Sequence, residues 1–414
     1  MKERNIISID LKSFFASVEC VKRNLDPFKT PLVVADISRG NGAMCLAVSP
    51  YLRNLGVNSR CRVFELPKNV KIIYAKPRMK LYEEYSNLVF SIYKEFISEE
   101  DIHFYSIDEV FMDTTDYLKY YNMTDIELAL KIMKTVKERT NLTTTAGIGP
   151  NIFLAKVAMD VEAKHNKNCV AKWTNEDIEK KLWNIEPLSK IWGFGRRTEK
   201  HLNDLGIYKV KDINKYPRNF YIKRFGNVMG NDIWCKANGI DFTTIKDMNS
   251  RSKDKSMSMS QILNRDYNSD EAFLIVREMN DLLNEKLRNM NLSTKLVYLS
   301  ITYSRDFHES FVESISLSNY EDNKDKILDV FKYIFNKNIQ DLPVRKVAIG
   351  YTRLSNKKAI QLSIFDNDDV IKTDKYYDII NNINEKFGRT SILRASSLLK
   401  NSTIKNREKF KNMI

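Results

Sequence analysis

The chain of 414 residues is too long for one ordinary core, and at roughly 100–200 residues per domain we expect two to four domains. Its hydrophobic content of 43% is normal for a globular protein, and no apolar run approaches the ~20 residues of a membrane-spanning helix, which argues against a transmembrane protein. The 67 Lys and Arg exceed the 53 Asp and Glu by 14, an excess that suits a polyanionic partner without specifying a fold.

The first predicted element is a buried strand over residues 5–10, which is rich in isoleucine and ends in Asp10. A helix is predicted to begin just past the acid, because Phe14, Phe15 and Val18 recur at near-helical spacing. An acid between a strand and a helix start is well placed to hold a metal ion beside a bound phosphate. A helix N-cap is the alternative role for Asp10, and this segment alone does not decide between the two.

Two short strands and a helix are predicted next. The strands cover 32–35 and 44–48, and the helix begins at Ser49 and Pro50, since proline is favoured at the first helical position. Arg53 projects from this helix, and a guanidinium group can pair with phosphate oxygens through two parallel hydrogen bonds. A solvated surface arginine is the alternative.

Residues 103–113 carry two adjacent acids, Asp108 and Glu109, between short apolar and aromatic runs. This pattern predicts a strand, a tight turn and a second strand. Two carboxylates this close disfavour each other's ionisation unless a cation lies between them, and their oxygen atoms suit Mg²⁺. A solvated hairpin tip is the alternative, but the distant acid Asp10, in a matching setting, favours a shared metal site.

Helices flank this hairpin in the sequence. One is predicted after Pro77 and another after a capping box at 124–127. The second has an apolar face that we expect to pack on the acid-bearing sheet, formed by Ile126, Ala129, Leu130, Met133 and Val136. A strand at 143–147 leads into a helix that starts at Pro150 and carries Lys156. Its ammonium group could neutralise phosphate charge beside the metal site, although an ordinary surface lysine is the alternative.

Residues 166–240 are basic and show no alternating strand pattern. Within them, 188–206 read as a helix, a glycine hairpin and a second helix. Gly193 and Gly195 would let backbone N–H groups approach a phosphate at the start of the second helix. The surrounding cations are Lys190, Arg196 and Arg197. Phosphate binding is therefore favoured over a plain helix–helix turn, and the segment resembles a helix–hairpin–helix, a sequence-independent grip on the DNA backbone.

The last third of the chain begins with a polar, basic stretch at 241–255, as expected of a linker. The pattern over 256–355 then reads strand, helix, strand, strand, helix, strand, which is the split βαβ arrangement. The tail at 356–414 opens with an apolar peptide whose anchoring residues are Gln361, Leu362, Ile364 and Phe365. This peptide resembles the one by which bacterial polymerases hold the sliding clamp, and a final strand of the preceding domain is the alternative.

Taken together, these segments resemble the Y-family, or UmuC/DinB-type, translesion DNA polymerases. The likeness rests first on Asp-Leu-Lys-Ser-Phe-Phe-Ala-Ser-Val-Glu at 10–19 and Tyr-Ser-Ile-Asp-Glu at 105–109. It continues in the family's order through 49–57, 146–156 and 191–195. It covers residues 1 to about 365, and the set of motifs is specific.

The resemblance implies an α/β multidomain protein with the right-hand polymerase architecture. This comprises an α+β palm with small fingers, a helical thumb with a helix–hairpin–helix, and a ferredoxin-like, split-βαβ little finger. The implied division is palm 1–165 with fingers inserted at about 25–76, thumb 166–240, linker 241–255, little finger 256–355 and tail 356–414.

The resemblance also implies a reaction. A lesion-bypass polymerase of low fidelity would transfer a deoxynucleoside monophosphate from dNTP to a primer 3′-hydroxyl, using two Mg²⁺ ions. The implied metal ligands are Asp10, the carbonyl of Leu11, Asp108 and Glu109. The implied triphosphate contacts are Phe14 and Phe15 through their N–H groups, Ser49, Arg53 and Lys156.

Two positions in this scheme concern sugar selection and phosphate binding. Phe15 aligns with the family's steric gate, where a ring under the sugar excludes a 2′-hydroxyl. The family often supplies Thr and Tyr hydroxyls to the phosphates where this chain has Ala47 and Pro50, so Ser49 is the candidate replacement.

The expected partners are primer–template DNA, dNTP and the sliding clamp, for a monomer with no membrane association. The five scattered cysteines form neither a disulfide framework nor a zinc spacing, and no signal-peptide pattern precedes the first strand, so we expect a cytoplasmic protein with reduced thiols. Two rival hypotheses remain, a two-metal nuclease that uses the same carboxylates and a non-catalytic protein that binds DNA or the clamp.

Overall fold

The structure is a computed structural model that describes residues 4–250, 255–356 and, apart from short gaps at 378, 381, 385, 389–390 and 405–406, residues 376–407. These residues form two compact units, 4–250 and 255–407. Within the described ranges, no helix combines the length and the apolar character needed to cross a lipid bilayer.

The first unit contains both strands and helices, with only helices after its last strand. The strands are β1 (Ile6–Leu11), β2 (Leu32–Val34), β3 (Ala47–Val48), β4 (Ile73–Ala75), β5 (Ile102–Phe104), β6 (Glu109–Asp113), β7 (Thr144–Gly149) and β8 (Val170–Lys172). The helices are α1 (Phe14–Val21), α2 (Pro50–Asn54), α3 (Met79–Lys94), α4 (Tyr117–Tyr121), α5 (Asp125–Thr140), α6 (Ile152–Val157), α7 (Asp177–Lys180), α8 (Arg196–Asn203), α9 (Arg218–Phe225), α10 (Asn227–Ala237) and α11 (Ile245–Asn249).

A sheet in the order β5-β6-β1-β7-β8 forms the centre of this unit, and β1 pairs antiparallel with both β6 and β7. Side chains alternate along β1, so alternate residues from Ile7 to Leu11 enter the core with α3 and α5. The other face of β1 meets α6 and its continuation, where Ser8 Oγ lies 3.6 Å from Met159 Sδ. Asp10 belongs to this second face.

Two expectations for this unit are wrong. Residues 166–240 do contain a strand, because β8 pairs in parallel with β7 and extends the central sheet. The buried stripe of α5 is also different from the predicted one. Its buried apolar residues are Leu128, Ala129, Ile132 and Val136, whereas Ile126 and Leu130 are 40% and 44% exposed. The pattern contained two overlapping stripes, and contacts with α3 and the sheet select which one is buried.

The segment between β1 and α3 builds a small second sheet in the order β3-β2-β4. It has a core of its own, which includes Val33, Cys45, Val48 and Leu52. The predicted helix start is present, since Ser49 caps α2 and Pro50 is its first residue. This small body contributes one wall of the cleft described below.

The region after β8 is helical, around a core that includes Trp173, Leu202 and Tyr221. Its predicted helix–hairpin–helix is present with one difference, because a 3₁₀ turn (Leu188–Lys190) stands where the first helix was expected. Part of the predicted linker is also ordered. Thr244 caps α11, whose Ile245 packs against the central sheet.

The second unit has the predicted order of elements. They are β9 (Lys255–Tyr267), α12 (Ser269–Asn289), β10 (Leu292–Tyr303), β11 (Ser310–Glu321), α13 (Lys324–Asn338) and β12 (Val344–Asn356). The sheet order is β11-β10-β12-β9, so β12 lies between the two strands that α12 joins. The split βαβ prediction is therefore confirmed.

The described part of the tail packs against α12 and α13 of the same unit. Arg394 pairs with Asp281 at 2.9 Å and with Asp325 at 2.6 Å. Thr403 donates a hydrogen bond from Oγ1 to Glu278 at 3.1 Å. The four anchoring residues of the clamp peptide, Gln361, Leu362, Ile364 and Phe365, lie outside the described residues, so clamp binding stays a prediction.

The close packing of α6 on β7 gives a testable prediction. A Cβ at Gly147 would lie 2.1 Å from the carbonyl oxygen of Ala155 and 2.4 Å from the backbone nitrogen of Met159. We expect Gly147→Ala to lower the free energy of unfolding by about 1–3 kcal/mol, as overpacking typically does. Denaturant unfolding measures this effect, with Gly42→Ala as the control because nothing lies within 4 Å of a Cβ there. Equal midpoints for the two variants would contradict the packing argument.

Candidate active site

The predicted acids converge because of strand register. Asp10 on β1 lies directly opposite Glu109 on β6, and the backbone N–H of Leu11 donates to the carbonyl of Asp108 at 3.0 Å. Residues opposed in an antiparallel pair project to the same face of the sheet, with Cβ atoms about 5 Å apart. Two distant segments of the chain thus place their carboxylates side by side.

The hairpin that carries Asp108 and Glu109 is held by its own hydrogen bonds. Backbone N–H groups of Tyr105 and Ser106 donate to the carbonyl of Glu109 at 3.0 and 3.2 Å. Ser106 Oγ donates to Asp108 Oδ1 at 2.7 Å. Asp10 is not a helix N-cap, because Ser13 occupies that position before α1.

Two lysines neutralise these acids from the α6 side. Lys156 is only 5% exposed, so the surface-lysine interpretation is wrong, and its Nζ lies 2.7 Å from Glu109 Oε1 and 3.0 Å from Asp160 Oδ2. Lys164 pairs with Asp10 and lies 2.8 Å from Asp160 Oδ1. Asp160 is thus the shared counter-ion of both ammonium groups.

Asp160 and Lys164 were not predicted from the sequence. The available signal was the spacing of four residues between Lys156, Asp160 and Lys164, which allows ion pairs along one side of a helix. Such spacing is more often found on a solvated face. In this protein α6 continues as a π-helical turn (Ala158–Glu162), which carries Asp160, and a 3₁₀ turn (Ala163–His165), which carries Lys164.

Burial dominates the electrostatics of the carboxylates. Burial raises the pKa of Asp10 above its usual value, against the lowering effect of Lys164, and the charge of Asp108 raises it further. Burial also raises the pKa of Glu109 to about 7, against the lowering effect of Lys156. For Lys164, burial lowers the pKa, but Asp10 and Asp160 raise it by more, so its pKa is raised overall.

The residues present fit a hard divalent cation. Asp10, Asp108 and Glu109 offer carboxylate oxygens, and two of the three have raised pKa values that a nearby cation would lower. As they stand, no three acidic, histidine or cysteine side chains of the described residues are grouped closely enough to enclose a metal ion. Lysine ammonium groups are the cations that contact Asp10 and Glu109.

A cleft of about 870 Å³ opens beside Asp10 and Asp108. Its opposite wall comes from the small β3-β2-β4 body. The residues that line that wall include Ala47, Pro50, Arg53 and Arg60, of which Arg60 was not anticipated. Lys164 also lines the cleft and has a side chain that is 34% exposed, whereas Lys156 lies behind the acids.

Ser49 does not line this cleft. It is fully buried, and its hydroxyl donates to the carbonyl of Thr30 at 2.7 Å. The same oxygen accepts from the backbone N–H groups of Leu32 at 3.2 Å and Leu52 at 3.5 Å. The hydroxyl is therefore engaged within the fold and is not directed toward a ligand.

Phe14 and Phe15 follow the first acid but have different surroundings. Phe14 is 3% exposed in the main core, while Phe15 is partly buried and its ring stacks on Tyr82 with centroids 4.4 Å apart. Tyr82 donates its hydroxyl to the buried Glu19 at 2.8 Å, and Arg78 pairs with the same carboxylate at 2.6 Å. The orientation of Phe15 thus rests on a buried polar network that was not predicted from the sequence.

The predicted DNA-contacting residues lie together at the glycine hairpin. Gly193 has a φ of +90°, which a residue with a side chain rarely adopts, and Gly195 is the N-cap of α8. Three exposed cations surround the hairpin, namely Lys190, Arg196 and Arg197. Their proposed DNA contacts remain a prediction.

Comparison with known proteins gives matches along most of the chain. Residues 9–160 match the impB/mucB/samB family, residues 175–207 match the IMS family helix–hairpin–helix motif, and residues 254–364 match the C-terminal domain of the impB/mucB/samB family. The last two matches include the glycine hairpin and the split βαβ unit.

Two curated relatives and one solved structure extend these matches. The Bacillus subtilis (strain 168) protein UvrX, named for UV-damage repair, is 33% identical over 95% of this chain and 93% of its own length. DNA polymerase IV of Desulfotalea psychrophila is 30% identical over 86% of this chain and 91% of its own. A Y-family DNA polymerase chimera of Dbh and Dpo4 has the same fold, with a TM-score of 0.68 at 22% identity over 84% of this chain and 98% of that chain.

The family resemblance seen in the motifs is therefore confirmed across both structural units. The chain belongs to the impB/mucB/samB family, that is, to the UmuC/DinB-type Y-family DNA polymerases.

Proposed function

We propose that this protein, as a DNA-directed DNA polymerase of the Y family, performs template-directed nucleotidyl transfer of the lesion-bypass type at the Asp10–Asp108–Glu109 site. The observation that carries the proposal is the cross-strand pairing of Asp10 with Glu109 next to Asp108, beside a cleft that Asp10 and Asp108 line. Curated relatives that bear the name DNA polymerase IV support the reaction class.

Y-family polymerases use divalent metal ions, and the proposed ligands in this chain are Asp10, the carbonyl of Leu11, Asp108 and Glu109. When bound, two Mg²⁺ ions would lower the pKa of the primer hydroxyl and stabilise the charge that develops on the phosphate oxygens. Strand register supports this assignment, because it places Asp10 and Glu109 opposite each other, and the bond from the N–H of Leu11 to the carbonyl of Asp108 holds the third acid next to them. Lys156 would keep Glu109 oriented from behind, through its contacts with that acid and Asp160.

The triphosphate would lie between the acids and the small β3-β2-β4 body. Arg53, Arg60 and Lys164 line the cleft and offer cationic donors to phosphate oxygens. The N–H groups of Phe14 and Phe15, at the start of α1, would add backbone donors. Because Ser49 is buried and Ala47 and Pro50 lack hydroxyls, charge from these cations would replace the hydroxyl contacts that the family often uses.

Phe15 is the proposed steric gate. Its ring lines the cleft close to the proposed metal site and stacks on Tyr82, which keeps it from rotating freely. A ribonucleotide would then bring its 2′-hydroxyl against an immobile ring. The exposed cations at the glycine hairpin would grip the duplex backbone, and the clamp contact through residues 361–365 stays part of the proposal without structural support.

The carboxylate assignment predicts the effect of an isosteric change. Asp108→Asn keeps the shape of the side chain but removes its charge, so we expect single-nucleotide incorporation to fall about 100- to 1,000-fold. Primer extension with Mg²⁺ and each nucleotide measures the loss and also reveals any degradation by a nuclease. Asp113→Asn, at the other end of β6, is the control and should extend primers normally. An Asp108→Asn protein with undiminished extension would show that the site is misassigned.

The gate assignment predicts altered sugar selectivity. Phe15→Ala removes the ring, so we expect the ratio of ribonucleotide to deoxynucleotide incorporation to rise at least about tenfold. Single-turnover incorporation of matched dNTP and rNTP pairs measures this ratio. Phe14→Leu is the control, because Phe14 lies in the core and should affect stability without changing the ratio. If Phe15→Ala keeps the selectivity of the unmodified protein, Phe15 is not the gate.

A further inference from the structure

The hairpin proposed to grip DNA touches the hairpin that carries the acids. Trp192 directly precedes Gly193, and its indole N–H donates to the hydroxyl of Tyr105 at 3.2 Å. The two rings meet edge to face, with centroids 5.8 Å apart and planes at 78°. Tyr105 in turn directly precedes Ser106, whose hydroxyl holds Asp108. One side-chain contact therefore joins two functional loops.

Each residue of this contact also interacts with its own functional hairpin. The N–H of Tyr105 donates to the carbonyl of Glu109 at 3.0 Å, so a shift of Tyr105 acts directly on the acid-bearing hairpin. On the other side, Lys236 lies over the ring of Trp192 at 5.6 Å, close to Gly193. Phe111, fully buried on β6, packs against both rings at 5.5 and 5.8 Å.

Core packing alone does not account for Tyr105. Tyr105 is 44% exposed and lies at the edge of the core, whereas the fully buried Phe111 fills the core position beneath it. Tyr105 also contributes orientation, because its hydroxyl accepts a hydrogen bond from Trp192 and the two rings meet edge to face. Aromatic pairs and hydrogen bonds of this kind impose a preferred geometry on the loops that carry them.

We propose that Tyr105 and Trp192 are positioning residues that couple the grip of the glycine hairpin on duplex DNA to the placement of Asp108 and Glu109. The inference rests on the proposed function. Duplex bound at Gly193 and Gly195 fixes Trp192, and Trp192 holds Tyr105 and the acid-bearing hairpin in the productive position. Catalysis is then fastest when the duplex behind the primer end is long enough to reach the hairpin.

A series of primer–templates with increasing duplex length tests this coupling. Single-turnover incorporation is measured at saturating DNA and dNTP, so that weaker binding does not enter the rate. We expect the unmodified protein to incorporate about fivefold faster once the duplex reaches the hairpin, which corresponds to the worth of the hydrogen bond between Trp192 and Tyr105 that both variants below remove. Trp192→Phe and Tyr105→Phe should lose this gain on long duplexes and match the unmodified protein on short ones.

Matched controls separate coupling from simple structural damage. Trp183→Phe removes another indole hydrogen bond of the same region, from Nε1 to the carbonyl of Ala237, and should keep the length response. The Tyr105→Phe, Trp192→Phe double variant should be no slower than either single variant, since both remove one contact. Thermal unfolding of each variant checks that the fold is intact.

Three outcomes would overturn the inference. They are no length response in the unmodified protein, a response that survives in both single variants, and a loss of equal size at every duplex length, which would indicate a purely structural role. Failure of the proposed function is distinguishable, because it would appear as full activity of Asp108→Asn on every duplex.

Discussion

The antiparallel pairing of β1 with β6 is the constraint on which the site depends. It brings Asp10 opposite Glu109 and ties the backbone of Leu11 to that of Asp108. A shift of one residue in this register would send one acid to the opposite face, because side chains alternate along a strand. The ladder of backbone hydrogen bonds thus fixes the backbone positions from which Asp10 and Glu109 project.

The helix α6 and its continuation, which pack on the second face of the sheet, supply the positive charges that balance these acids. α6 approaches β7 closely because Gly147 and Gly149 have no side chains, and a Cβ at Gly149 would lie 2.7 Å from the backbone nitrogen of Ala155. That approach brings Lys156 and Lys164 to the acids, with Asp160 between them. The absence of side chains at Gly147 and Gly149 and the ion pairs of Lys156 and Lys164 therefore belong to the same helix–strand contact.

Local signals in the sequence predicted much of the fold, and non-local ones were missed. The isoleucine-rich first strand, the capping box of α5 and the βαββαβ order each follow from residues near one another in the chain. The three-residue strand β8 could not be predicted in this way, because it is recognisable mainly by its pairing with β7, which is not a neighbouring segment of the chain. The buried stripe of α5 and the inward direction of Ser49 depended on neighbours that periodicity cannot identify. Within the site, the family motifs identified the acids. Lys164, Asp160 and Arg60 were identified only from their positions in the structure.

The described part of the tail belongs to the second compact unit. The match to the family's C-terminal domain ends at residue 364, yet Arg394 and Thr403 bind acids on α12 and α13 well beyond that point. Burial raises the pKa of Asp281 against the lowering effect of Arg394, so the arginine favours the charged form of this buried carboxylate. A chain that ended at residue 364 would leave Asp281, Asp325 and Glu278 without these partners, and the second compact unit is accordingly longer than the segment that matches the family's C-terminal domain.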